Sequence, residues 1–141
     1  MDSKIKSLMK KLWSVEAWSM DTGLLLLRIG CALMLLHGWP KFTNFSEGSL
    51  DWPDPFCVGA TVSYSLTVFA ELFCTLLLLL GLFSRLALIP LIILMVVIVF
   101  HIHSEDTLAD REHAILYLMC YGTLLFTGPG EYSLDGRFFK G

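Results

Sequence analysis

Charge is scarce in this chain. Only 16% of its 141 residues are Asp, Glu, Lys or Arg, against roughly 25% in a typical soluble domain, while 55% are hydrophobic. Mean hydropathy is +0.67. So little polar surface cannot keep a protein of this size dispersed in water, which makes lipid the expected solvent. A basic excess is missing too: the net charge is -3, which argues against nucleic acid as a partner. No CxxC pair, flavin fingerprint or haem attachment motif occurs, so a self-sufficient redox enzyme is not expected. Cys31, Cys74 and Cys120 lie in apolar runs and Cys57 at the edge of one, and they read as small buried hydrophobes. There is no internal repeat. No small-residue cleavage site follows the first long apolar run, so that run is read as retained.

What is present is organised for a membrane. In Met1 to Trp18, Ile5, Leu8, Met9, Leu12 and Trp13 recur at helical spacing, with Lys4, Lys6, Lys10 and Lys11 mostly opposite them. That pattern predicts an amphipathic helix in the cytoplasmic headgroup layer, giving an interfacial segment over 1–20 and a single membrane domain over 21–141. Four apolar stretches follow, from about Thr22 to Gly38, Val58 to Phe83, Leu86 to His101 and Arg111 to Thr127. They predict an all-α integral membrane protein, a bundle of four transmembrane helices. Lysines near the N-terminus, Arg85 in the second turn, and Arg137 and Lys140 in the tail predict that both termini are cytoplasmic. The longest external loop, Trp39 to Cys57, holds three prolines and two tryptophans, a mix suited to an interfacial cap.

Several ionisable residues fall at membrane depth, where each costs about 2.5–3.5 kcal/mol even on a lenient scale. Helical rise puts Glu71 about 20 Å from the outer end of the second span and Arg28 roughly 9 Å above the cytoplasmic end of the first. An Arg28–Glu71 ion pair is therefore expected. Either it fixes helix register, or Glu71 exchanges a proton or binds a polar ligand while Arg28 controls its charge. Tyr64, Thr67, Glu71, Cys74 and Thr75 share one helical face, a polar stripe that must turn inward. Interior hydrogen bonding alone can account for that stripe.

A second group gathers at the outer helix ends: His37 and Lys41 on the first span, His101 and His103 closing the third, Glu112 and His113 opening the fourth. For His103 and His113, contact with interfacial water suffices. His37, Lys41, His101 and Glu112 read as a ligand site, with histidine and carboxylate as acid and base and lysine as an electrostatic partner. The HxH and Glu-His spacings are too weak to assign a metal.

These residues carry a family resemblance. Arg28 with Gly30, His37-Gly38 with Lys41, Ala70-Glu71, Gly81 before Ser84-Arg85, Glu112, and Gly128-Pro129-Gly130 before Tyr132-Ser133-Leu134-Asp135 follow the order and spacing of the DoxX family, small bacterial membrane proteins. The resemblance implies a four-helix multi-pass protein of the bacterial cytoplasmic membrane. One branch is similar to the membrane subunit of thiosulfate:quinone oxidoreductase, which implies a quinone and a partner subunit, or a homo-oligomer. The family site would use Arg28, His37, Lys41, Glu71, Arg85 and Glu112, with Glu71 or His37 exchanging protons. A non-enzymatic assembly factor and a small solute or proton carrier are the alternatives. The Gly-Pro-Gly stop should let the tail fold back, placing Asp135 against Arg85.

Overall fold

A computed structural model of the chain describes residues 3–13 and 20–138, with the side chains of 10–13 left out. The expectations for Lys10, Lys11, Leu12, the Trp13 side chain, Trp18 and Lys140 lie outside the described residues. Among the described residues the fold is all helical. Helix α1 spans Ser3–Trp13. The long helices are α2 (Met20–Thr43), α4 (Ala60–Leu80) and α5 (Ser84–Ile102), with α6 at Leu108–Thr127. Two short helices complete the set, α3 (Phe45–Gly48) and α7 (Leu134–Phe138).

Three of these helices, α2, α4 and α5, are long and apolar enough to cross a membrane. Their outer faces are as apolar as their core. Leu26, Leu33 and Leu36 on α2, Leu66 and Phe73 on α4, and Ile93 and Phe100 on α5 are all exposed. In water such a surface would drive association, whereas lipid is its natural solvent. Inside, Leu78, Leu88, Leu91, Met95, Tyr121 and Leu124 fill the core. Helix α6 has 20 residues and packs chiefly along α5, but its first turns carry Asp110, Arg111, Glu112 and His113.

The first stretch runs further than its sequence suggests. The first apolar stretch ends near Gly38 and the external loop is expected from Trp39, yet α2 continues through Pro40 to Thr43. A proline this close to a helix end forfeits a single backbone bond. The Thr43 hydroxyl (3.0 Å) and the Asn44 amide (3.0 Å) then both donate to the Pro40 carbonyl, closing the end. The expected loop therefore shrinks.

Helices α2 and α4 are antiparallel neighbours in constant register. A Cβ on Gly38 would fall 2.9 Å from the Glu71 carbonyl carbon, and a Cβ on Gly81 would fall 2.2 Å from the Arg28 Nη1. Ten residues separate Arg28 from Gly38, and ten separate Glu71 from Gly81. Arg28 and Glu71 thus belong to two layers about 15 Å apart along the helix axes.

Candidate functional site

The Glu71 layer lies where α4 departs from regular helix. Over Phe69–Cys74 the turns widen to π-helical geometry, a feature that often accompanies functional positions because it redirects side chains. The inward stripe is all buried: Tyr64, Thr67, Glu71, Cys74 and Thr75 are each at most 6% exposed. Thr67 donates to the Ser63 carbonyl at 3.0 Å and Thr75 to the Ala70 carbonyl at 3.4 Å, so both hydroxyls are satisfied within α4. Glu71 needs a partner from elsewhere.

That partner is Lys41. Its Nζ lies 2.6 Å from both Oε1 and Oε2 of Glu71. The carboxylate is 3% exposed and the lysine side chain 24%, so the pair spans from the core to the edge of the bundle. Above it sits an aromatic cover. The Trp52 ring centroid is 5.2 Å from the Lys41 Nζ, a cation–π distance. Tyr64 meets Trp52 edge-on at 5.0 Å and Phe45 at 5.3 Å, and its hydroxyl donates to the Lys41 carbonyl at 2.9 Å. Below it, Tyr121 of α6 is wholly buried, and its hydroxyl has no hydrogen-bond partner. Tyr121 lies within electrostatic reach of Glu71, Cys31 and Cys120.

The loop that carries Trp52 is fastened by Asp54. Its carboxylate accepts from the Ser63 hydroxyl (2.6 Å), the Gly59 amide (2.6 Å) and the Val58 amide (3.1 Å). These donors, Ser63 first, hold the Asp54 carboxyl below the usual carboxylate range.

The expected Arg28–Glu71 pair does not form, because α2 register places the two residues in different layers. Arg28, 1% exposed, donates instead to the carbonyls of Leu79 (3.4 Å) and Tyr132. The tail does fold back, but Asp135 does not seek Arg85. Its two oxygens accept from the amides of Phe83 and Ser84, each at 2.8 Å, and its own amide donates to the Gly81 carbonyl at 2.8 Å. Backbone donors freed at the start of α5 attract the carboxylate more effectively than an exposed arginine does. Arg85 and Asp135 both line a cleft of about 540 Å³, together with Asp21, Thr127 and Gly128.

The outer layer does not converge. His37, His101, Glu112 and His113 are all exposed, and His103 pairs with Asp106. No group of three potential metal ligands exists among the described residues. Of the outer residues, Lys41 alone is brought to Glu71. Trp52 joins that site without any sequence signal beyond being aromatic.

The DoxX family profile matches residues 23–104, more than half of the chain. The chain belongs to the DoxX family. The match takes in Arg28, His37, Lys41, Glu71 and Arg85, while Glu112 and Asp135 lie beyond it. The chain is also similar to an uncharacterized protein of Haemophilus influenzae (strain ATCC 51907 / DSM 11121 / KW20 / Rd). The two are 33% identical over 126 residues, covering 81% of this chain and 89% of that one. No solved structure matches the chain.

Proposed function

We propose that this DoxX protein is a multi-pass subunit of a quinone-linked oxidoreductase in the bacterial cytoplasmic membrane, and that Lys41 and Glu71 hold the polar head of the quinone or of an anionic co-substrate. The observation that carries this reading is the two-oxygen Lys41–Glu71 contact, buried at a widened turn of α4 and covered by Trp52. A lone structural pair needs neither the widened turn nor the half-exposed amine. In this arrangement the ammonium can move from Glu71 to a ligand oxygen as negative charge builds there. Released from Lys41, Glu71 can take or deliver a proton. His37, on the exposed side of α2, takes no step.

The same proposal makes α6 the fourth span, with both termini cytoplasmic and α1 lying in the headgroup layer. Residues 21–141 then form one membrane domain. Electrons would have to reach the Lys41–Glu71 site from outside it, as from a partner subunit or a bound cofactor that the sequence does not reveal.

Quenching of tryptophan fluorescence by a short-chain quinone tests the reading, because Trp52 stands over Lys41. Saturable quenching is expected in the wild type, with at least tenfold weaker affinity in Glu71→Gln and in Lys41→Met. The Trp52→Phe variant should lose the saturable component. Wild-type affinity in both Glu71→Gln and Lys41→Met contradicts the assignment.

A further inference from the structure

A second set of reactive groups lies between α2 and α6. Cys31 of α2 and Cys120 of α6 both lie at the seam between the two helices, although 89 positions separate them in the sequence. Both are free thiols, Cys31 buried at 2% exposure and Cys120 half-buried. Both also line a cavity of about 330 Å³ with Leu26, Leu27, Gly30 and Tyr117, a size within the range of small-molecule sites. Its rim residues Leu26 and Leu116 are exposed, so the cavity opens sideways from the bundle, towards lipid. Its walls are almost entirely apolar; His113 and the Tyr117 hydroxyl supply the polar groups. Behind the thiols stands the unpartnered Tyr121 hydroxyl, within electrostatic reach of both cysteines and of Glu71.

We propose that Cys31 and Cys120 form a redox-active dithiol that reduces a lipid-soluble quinone entering this lateral groove. In the step, the two S–H bonds break and one S–S bond forms. The quinone takes up the two electrons and two protons as two new O–H bonds, leaving as the quinol. Cys120, the thiol that reaches the groove, meets the quinone, and the buried Cys31 closes the disulfide. Fully buried thiols are normally inert. Here the groove supplies access, and the juxtaposed second thiol supplies the resolving group. The occupant follows from the chemistry of the walls: an oxidant that reaches two thiols only from lipid, through apolar side chains, must itself be lipid-soluble. An external reductant of disulfides, a thiol or thiol-bearing protein, would complete a cycle. This inference rests on the quinone reading above, but it places the electron donor at a different pair of helices.

The test uses full-length protein reconstituted in vesicles and kept anaerobic. Short-chain ubiquinone is added, remaining thiols are alkylated, and the products are mapped by mass spectrometry. Cys31 and Cys120 should lose alkylation together, with one quinol formed per disulfide, while Cys57 and Cys74 stay alkylated. Cys31→Ser and Cys120→Ser should each abolish quinol formation. If copper–phenanthroline links the pair but quinone does not, or if neither reagent links it, the proposal is overturned. Trp52 quenching in the same preparation separates the two claims. Saturable quenching without disulfide formation defeats the dithiol and leaves the Lys41–Glu71 site standing. Disulfide and quinol formation without quenching supports the dithiol and defeats that site.

Discussion

Gly38 brings the backbone of α2 against Glu71, with room for a hydrogen and not for a methyl group. The Cβ that alanine would add meets the Glu71 carbonyl carbon at 2.9 Å, the Glu71 Cβ at 3.0 Å and the Leu72 nitrogen at 3.0 Å. All but one of these are backbone atoms, which cannot swing aside. This approach lets Lys41, one turn further along α2, lie over the carboxylate.

Gly38→Ala should therefore lower stability in detergent. Overpacking costs about 1–3 kcal/mol, which exceeds the gain of about 1 kcal/mol from alanine's better helix propensity. Gly30→Ala is the matched control, because nothing lies within 4 Å of its Cβ. Thermal melts should show the first variant destabilised and the second unchanged or stabilised. Equal melting temperatures would show that the helices are not pressed together at Gly38.

Lys41→Met leaves a buried carboxylate without its cation, and breaking one side of such a pair costs about 3–5 kcal/mol. Lys41→Met with Glu71→Gln removes both charges and should recover most of that loss. A double-mutant cycle on unfolding free energies should show strong coupling. Additive effects would mean that the two side chains do not pair in the membrane.

Asp135→Ala should destabilise the tail by about 1–3 kcal/mol, since two amides at the start of α5 lose a charged acceptor. Arg85→Ala should be nearly neutral. Limited proteolysis after α6 should report the difference. If Arg85→Ala proved the more damaging, the expected Asp135–Arg85 contact would be the real one.

The Asp54 fastening carries a pH signature. Its folded carboxyl titrates below the unfolded value of about 3.9. The contribution is fully present above the unfolded value and is lost as pH falls through the lowered folded one. Wild type and Asp54→Asn should therefore differ in melting temperature near neutrality and converge under strongly acidic conditions. A gap that stayed constant across that range would remove the carboxylate from the loop's support.

The helical character and the inward stripe on α4 were legible, because a 3.6-residue period alone decides which residues share a face. The Glu71 partner was not. Lys41 was legible at the outer end of the first span, but helical rise alone paired Glu71 with Arg28, and only the register of α2 against α4 decides which cation meets the carboxylate. Asp135 was legible as a fold-back residue, but its target was not: free amides are invisible in a string of side chains, whereas Arg85 is conspicuous. The Cys31–Cys120 juxtaposition depends on how α2 and α6 are rotated about their axes, and no spacing within either helix records that.

That the Lys41–Glu71 pair receives a quinone can be read from native mass spectrometry of gently solubilised protein. Glu71→Gln and Lys41→Met should each retain one bound quinone fewer than wild type, with the fold intact. Retention of as many quinones by both site variants as by wild type would contradict it.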